Sequence, residues 1–300
     1  MTNPKPDILC IGSVLWDVIG RATTVMQAGS DVPGRITRIP GGVALNIAMT
    51  LTRFGMTPDL LTAIGQDPEG EELIAACAAR GLLTDNVYRS ADLPTDVYMA
   101  VEGANGLIAA IADAHSLEAA GKKILAPLSD GRLATVDDPY QGLVALDGNL
   151  TIDLLSEIAN SPLLAGADLR VAPASPGKAD RLLPFLRSGR GTLYVNLEEA
   201  GTLCQTRFDS SAEAAVELAK RGAARALVTD GGNLASEIRQ GESEPRSNTP
   251  PQVLVTRVTG AGDTFMAAHI AAEARGASDE DALHQALQAA ATYVSGGTPR

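Results

Sequence analysis

The residues Val258–Phe265, near the end of a chain of 300 residues, have types and a spacing that could transfer a phosphoryl group. Gly260, Ala261 and Gly262 stand directly before Asp263, and the apolar, alanine-rich run that follows predicts a helix. Unpaired N–H groups at a helix start attract anions, and small residues let a phosphate approach that backbone closely. An aspartate that only capped this helix would repel the phosphate. Its place suits a base that takes a proton from a hydroxyl attacking the phosphate.

Predicted strands and helices alternate along most of the chain, which indicates an α/β fold with a mostly parallel sheet covered by helices. The predicted strands are 7–12, 59–64, 143–146, 169–172, 193–196 and 226–229; the predicted helices are 42–54, 68–80, 151–159, 178–186, 211–221, 262–275 and 279–294. Two strand-rich segments at about 16–39 and 94–113 interrupt this order, the second with a hairpin signal. We expect one domain over residues 1–300, with these segments forming a small β-sheet lid, and a surface loop at 240–251.

Several polar and glycine residues fall where the predicted strands end, which is where ligands bind in α/β sheets. They are Gly12 and Asp17 after the first strand, Gly41, Gly42 and Asn46 around the next helix start, Asn196 and Glu199, and Thr229 and Gly231. Each one alone is more typical of a turn or a helix cap than of a site. Their joint occurrence with Gly260–Asp263 favours a single functional rim.

Composition excludes several classes of function. The formal net charge is −12, whereas nucleic-acid binders usually carry a basic face. No apolar run approaches the ~20 residues that span a membrane, and the polar start over residues 1–7 has no signal-peptide core. Cys10, Cys77 and Cys204 are isolated within apolar segments, which is typical of buried free thiols in a reducing compartment. We therefore expect a cytoplasmic protein with neither a nucleic-acid polymer nor a membrane as partner.

Over essentially its whole length the chain resembles the ribokinase-like (PfkB) carbohydrate and nucleoside kinases. The resemblance is carried by Gly12 and Asp17, Gly41-Gly42 with Asn46, Ile64-Gly65-Gln66-Asp67 with Gly70, Asn196 with Glu199, and Thr259-Gly260-Ala261-Gly262-Asp263. It implies an ATP-dependent kinase acting on a small sugar or nucleoside, and a homodimer that forms through the lids.

The resemblance also implies a role for each matching residue. Asp263 would be the catalytic base, and the backbone of Gly260, Ala261 and Gly262 would form the anion hole. The substrate's hydroxyls would be held by Asp17, Gly41, Gly42 and Asn46. Asn196 and Glu199 would organise Mg²⁺ through water near the ATP phosphates, and Thr229 and Gly231 would line the nucleotide site.

Three features depart from the family pattern. Arg257 stands where the family usually carries an aspartate that helps to hold potassium in potassium-activated members, so potassium activation is not expected. Arg257 is then either a tethered positive charge beside the anion hole or a solvated arginine at a strand end. The segment 229–234 lacks a later glycine, and Gln288 replaces an asparagine often found beside the adenine.

The substrate is indicated less sharply. The segments 41–48, 95–113 and 171–179 are similar to those of pseudouridine kinases, which predicts transfer to the primary hydroxyl of pseudouridine. Ribokinase, ketohexose or deoxyketogluconate kinase and adenosine kinase-like activities are the alternatives, as is a non-catalytic nucleotide-binding regulator on the same fold. A Rossmann dehydrogenase is disfavoured because no G-x-G-x-x-G follows the first strand. Trp16, beside Asp17, could stack on a sugar or base, or it could have a core or interface role.

Overall fold

A computed structural model describes residues 5–27 and 29–299, so the predicted polar start over residues 1–4 lies outside the described residues. The strands are β1 (Ile8–Ile11), β2 (Leu15–Arg21), β3 (Arg35–Gly41), β4 (Pro58–Leu61), β5 (Ala63–Gly65), β6 (Tyr88–Ser90), β7 (Val97–Gly103), β8 (Gly106–Asp113), β9 (Leu143–Asp147), β10 (Asp168–Ala172), β11 (Thr192–Asn196), β12 (Arg225–Thr229), β13 (Ala235–Arg239) and β14 (Arg246–Asn248). The α-helices are α1 (Val43–Arg53), α2 (Pro68–Ala78), α3 (His115–Ala120), α4 (Ala126–Ser129), α5 (Ile152–Asn160), α6 (Leu183–Ser188), α7 (Leu197–Cys204), α8 (Ser211–Lys220), α9 (Ala261–Ala274) and α10 (Asp279–Val294).

The main sheet has eight strands in the order β14-β13-β12-β11-β10-β9-β1-β4. The pairs from β12 to β4 are parallel, and β13 and β14 continue the sheet in antiparallel pairing. Successive residues of a strand point to opposite faces. In β1, Ile8 and Cys10 therefore join one apolar core, with α1, α9 and α10, while Leu9 and Ile11 join the other, with α5 and α8. The predicted α/β fold with a helix-covered, mostly parallel sheet is confirmed.

The two strand-rich segments build a second sheet, in the order β3-β2-β7-β8, apart from the main one. The register places Asp17 opposite Tyr98 and Ile39, and Val18 opposite Met99 and Arg38. Because neighbouring residues face opposite ways, Asp17 and Tyr98 share one face of this small sheet. We call the opposite face, which carries Ile36, Met99 and Ile111, the outer face.

Some local predictions were wrong. The helix predicted at 178–186 is a 3₁₀ helix, Pro176–Leu182, followed by α6, because Pro184 lacks the N–H that would continue the first helix. The strand predicted at 59–64 is divided between β4 and β5, and the loop predicted at 240–251 contains β14. The strand β13 and the helix α7 were not predicted. No helix of the described chain is long and apolar enough to cross a membrane.

Candidate active site

The carboxyl ends of β1, β9, β11 and β12 lie along one edge of the main sheet, with β10 between β9 and β11. The first turns of α1, α7 and α9 start from the same edge. Parallel strands bring residues that are distant in sequence to one edge. The predicted rim is therefore a region where side chains from several elements meet.

Asp263 in the first turn of α9 meets Asn46 in α1, and the two residues are 217 positions apart in sequence. Asn46 Nδ2 donates a hydrogen bond of 2.9 Å to Asp263 Oδ2. Burial raises the pKa of Asp263 to about 7, and although the bond from Asn46 opposes the shift, the nearby Asp147, Glu199 and Asp17 add to it. A carboxyl group poised near neutral pH suits a general base.

The start of α9 has an open N-terminus. Gly260 occupies the N-cap position with φ 87°, in the left-handed region that favours glycine, and no side chain of the described residues caps this end. The Ala261 amide donates to the Val258 carbonyl at 3.0 Å, which leaves the amides of Gly262 and Asp263 to meet an anion. Gly260, Ala261 and Gly262, the predicted anion hole, form the N-cap and the first two residues of α9.

The start of α1 is closed by contrast. Val43 N donates to Ser13 Oγ at 2.9 Å, Ala44 N donates to Asp147 Oδ2 at 2.9 Å, and Leu45 N donates to the Ser13 carbonyl at 3.2 Å. Gly42, with φ 99°, passes so close to Ser13 that a Cβ would lie 2.5 Å from its carbonyl oxygen. With its first amides already bonded, α1 presents Asn46 to the site rather than an anion-binding end.

Asp147, at the end of β9, is a central residue that the sequence analysis did not single out. Its fully buried carboxylate accepts from Ser13 N (2.8 Å), Ser13 Oγ (2.8 Å), Ala44 N (2.9 Å) and Asn149 N (2.7 Å). Burial raises its pKa, against the opposing effect of these donors. The rule that located the other rim residues, a polar residue directly after an apolar strand, applies equally to Asp147.

Two more polar residues continue this network. Asn149 Nδ2 donates to Ser13 Oγ at 2.9 Å, and Lys178 Nζ donates to Asn149 Oδ1 at 2.7 Å. Burial, together with the neighbouring Arg181, lowers the pKa of Lys178. The rim therefore carries an ammonium group as well as carboxylates.

The small sheet brings Asp17 to the site. Gly41 lies against the Asp17 carboxylate so closely that a side chain there would clash with it. Burial raises the pKa of Asp17 to about 6, and the Asp17 charge helps to raise the pKa of Tyr98 on the neighbouring strand. Asp17 and Tyr98 face the same side, so the sheet offers a carboxylate next to an aromatic ring. Tyr98 was not predicted as a site residue, although it lay in the predicted hairpin.

Trp16 belongs to the core and is not available for stacking on a substrate. Its indole is buried, and Nε1 donates to the Glu69 carbonyl at 2.9 Å. The Arg38 guanidinium lies 4.4 Å from the ring centroid. Of the two roles considered for Trp16, the core role is the one in the structure.

Asn196 and Glu199 form a capping box at the start of α7. Glu199 N donates to Asn196 Oδ1, and Asn196 N donates to Glu199 Oε2, each at 2.8 Å. Burial raises the pKa of Glu199 to about 7. A carboxylate has two oxygens, and this box engages Oε2. Hard oxygen donors of this kind, acting through water, fit Mg²⁺. Within the described residues, no cluster of three or more His, Cys, Asp or Glu side chains could hold a metal by itself.

Thr229 ends β12 directly beside Asn196 at the end of β11, since the two are paired in the sheet register. Gly231 follows in an exposed turn with φ 55°. Both residues therefore lie on the α7 side of the rim, away from Asp17.

Hydrogen bonds to two aspartates hold the segments that connect the small sheet to the rest of the chain. Asp67 accepts from Gly70 N (2.7 Å) at the start of α2 and from Thr95 N (2.7 Å) just before β7. Asp96 accepts from Ser116 N (2.9 Å) and Leu117 N (3.0 Å) after β8. The segment Gly65–Gly70 thus anchors the small sheet.

The sequence profile of the pfkB family carbohydrate kinases matches residues 5–299. The chain belongs to this family. It is 28% identical to the pseudouridine kinase of Escherichia coli over 269 residues, which are 88% of this chain and 82% of that protein. It is therefore an ATP-dependent sugar or nucleoside kinase.

Solved structures agree with the family assignment. The carbohydrate kinase of Agrobacterium tumefaciens superposes with a TM-score of 0.81 at 26% identity, covering 98% of this chain and 93% of that one. The ribokinase of Arabidopsis thaliana, whose structure contains ribose and ATP, has a TM-score of 0.77 at 22% identity, covering 96% and 92% of the two chains. At that identity the second structure supports the ribokinase-like fold alone.

Proposed function

We propose that this kinase transfers the γ-phosphoryl group of ATP to the primary hydroxyl of a sugar or nucleoside, with Asp263 as the base. The observation that carries the proposal is the hydrogen bond between Asn46 and Asp263 beside the open start of α9. This hydrogen bond brings together Asn46, which would bind a substrate hydroxyl, Asp263, whose pKa suits a base, and the backbone at the start of α9, which would bind an anion. Phosphoryl transfer depends on such positioning and charge stabilisation.

The proposed roles of the other rim residues follow from their places. Asp17, Gly41, Gly42 and Asn46 would line the acceptor side, and the small sheet would close over it as a lid and exclude water. Thr229 and Gly231 would line the nucleotide side. The whole of residues 1–300 is proposed to act as one kinase domain that includes the lid.

Magnesium would be held at Asn196 and Glu199 through water. When bound, the ion would neutralise charge on the ATP phosphates. The Glu199 carboxyl accepts from Asn196 N, and burial raises its pKa to about 7, so a divalent cation nearby would favour its charged form. Potassium activation is not proposed, and rates in NaCl and KCl of equal ionic strength should agree.

The proposed acceptor is pseudouridine, and the product is its 5′-phosphate. Support comes from the 28% identity to a pseudouridine kinase and from the segments 41–48, 95–113 and 171–179. Tyr98 beside Asp17 offers a ring face, and Lys178 offers a donor, to a base attached to the sugar.

The three cysteines are buried free thiols, as suits a cytoplasmic enzyme.

A coupled ATP-consumption screen tests the function. It should include pseudouridine, uridine, adenosine, ribose, fructose and a deoxyketogluconate. We expect pseudouridine to give the highest kcat/KM and Asp263→Asn to lower kcat by about 10²–10⁴. If ribose or a ketohexose gives a higher kcat/KM than pseudouridine, the proposed acceptor is wrong but the proposed mechanism stands. Near-normal activity of Asp263→Asn would show that the proposed mechanism is wrong. ATP binding without turnover on any acceptor would favour a nucleotide-binding regulator.

A further inference from the structure

The side chain of Arg257 is fixed against the carboxyl end of α10. Its Nε donates to the Tyr293 carbonyl at 2.8 Å, and its Nη2 donates to the Gly297 carbonyl at 2.7 Å. The guanidinium also stacks on the Tyr293 ring, with Cζ 3.8 Å from the ring centroid. The last carbonyls of a helix carry partial negative charge, and α10 has no basic residue of its own in its last turn. Arg257 is exposed, but no strand of the described residues ends there, so only the strand end in the solvated-arginine alternative is wrong.

Tyr293 connects this contact to the active site. Its Oη donates to the Thr259 carbonyl at 2.9 Å. The same oxygen would lie 2.6 Å from a Cβ at Gly260, so ring and backbone are in close contact there. Thr259 and Gly260 lead directly into the first turn of α9 with Asp263. The backbone adds to the contact, since Thr256 N donates to the Val294 carbonyl at 2.8 Å.

We propose that Arg257 and Tyr293 form a clamp that holds Thr259 and Gly260 so that the amides of Gly262 and Asp263 point at the transferred phosphoryl group, an inference that rests on the proposed function. Both are positioning residues, because Arg257 Nε and Nη2 bond carbonyls at and just beyond the end of α10, and its guanidinium stacks on Tyr293 rather than facing the anion hole. Misplacing reacting groups by about 1 Å can cost on the order of 10²-fold in rate.

The test uses three variants that remove different parts of the clamp. Arg257→Met keeps the length of the stem but removes the charge. Arg257→Lys keeps a charge but cannot reproduce the two-carbonyl geometry. Tyr293→Phe keeps the stacked ring and removes the bond to Thr259. The matched control is Arg275→Met, because Arg275 is also exposed, lies 5.6 Å over the Phe54 ring and donates to the Phe54 carbonyl, but at the opposite end of α9.

The variants are assayed with the acceptor that the wild type phosphorylates fastest, so an error in the proposed acceptor does not affect the result. We expect Arg257→Met and Tyr293→Phe each to lower kcat about 10- to 100-fold, with smaller changes in both KM values. The double variant should be no slower than the slower single variant, because both remove one clamp. Arg257→Lys should recover part of kcat, and Arg275→Met should match the wild type.

Rescue separates positioning from a general loss of structure. In Arg257→Ala, millimolar guanidinium chloride should restore part of kcat by occupying the site between the two carbonyls and the ring, whereas equal NaCl should not. Unchanged kcat in folded Arg257→Met and Tyr293→Phe would overturn the clamp. Additive losses that follow a lowered Tm, without rescue, would overturn it as well.

Discussion

At the residue scale, the chemistry of Asp263 depends on carboxylates from three other elements. Asp17 comes from β2, Asp147 from β9 and Glu199 from α7, and each adds to the shift that burial imposes on the Asp263 pKa. In water this aspartate would be ionised and a weak base at neutral pH. The folded chain makes it a stronger base by making its charged form costly.

This shift predicts the pH dependence of turnover. A base with a pKa of about 7 is mostly protonated below that pH, so kcat/KM for the acceptor should fall about tenfold per unit as pH drops below about 7. It should level off above pH 8. Initial rates between pH 5.5 and 9 check this, with the coupling enzymes controlled separately. A profile that stays flat down to pH 5.5 would contradict Asp263 as the base.

The same shift predicts that Asp263 costs stability at neutral and higher pH. An acid with a raised folded-state pKa holds its proton in the folded state and releases it on unfolding. The free energy of unfolding therefore falls as pH rises from about 4 to 7. Asp263→Asn removes that cost and can still accept from Asn46. We expect it to gain on the order of 1 kcal/mol at pH 8, reduced by solvent screening, which is a Tm rise of a few degrees.

Thermal melts of Asp263→Asn and the wild type at pH 8 and pH 5 check this expectation. The gain should shrink at pH 5, where the wild-type carboxyl is already protonated. A Tm difference that is equal at both values, or a less stable variant at pH 8, would show that the charge of Asp263 carries no such cost.

At the scale of elements, the starts of α1 and α9 show what sequence could and could not predict. Both begin with glycines, and the sequence placed both at the rim. The first amides of α1 are not free, because Ser13 and Asp147 accept from them. Asp147 reaches that helix start only because its strand, β9, pairs with β1. Asp147 follows the same strand-end rule as the other rim residues, but strand order in a sheet is not readable from local pattern, so its contact with the start of α1 could not be predicted.

Other features depend on their context in the same way. Asn196 and Glu199 were placed at a strand end with a spacing more typical of a helix cap than of a metal site, and the structure shows a capping box there. Their role in holding Mg²⁺ stays a prediction. Trp16 lies beside Asp17 in sequence, yet the strand turns neighbouring side chains to opposite faces.

Asp147 should therefore be a determinant of stability at this element junction. Asp147→Ala would leave the buried N–H groups of Ser13, Ala44 and Asn149 without their acceptor, at a cost of roughly 3–5 kcal/mol in the free energy of unfolding. Urea denaturation measures this cost. The control Asp180→Ala removes an exposed carboxylate and should change stability by less than about 0.5 kcal/mol. Equal effects of the two substitutions would refute the bridging role.

At the scale of the whole molecule, the outer face of the small sheet carries Arg38 and three apolar side chains that are exposed in the single chain. Ile36, Met99 and Ile111 share this face and are 77%, 48% and 68% exposed. Contiguous exposed apolar surface commonly marks an interface. The opposite face carries Asp17, so pairing through the outer face would leave the site free. These features support the proposed homodimer through the lids.

The dimer prediction is tested by placing a charge on that face. Ile111→Lys should convert a dimer of the wild type into a monomer in light scattering after size exclusion, because burying an unpaired ammonium in an apolar interface is costly. The control Val136→Lys changes an apolar side chain that is 69% exposed outside the small sheet, and it should remain dimeric. The lid would also lose the support of its partner, so KM for the acceptor should rise in Ile111→Lys more than in Val136→Lys. A monomeric wild type, or a dimer that survives Ile111→Lys, would place any assembly elsewhere on the molecule.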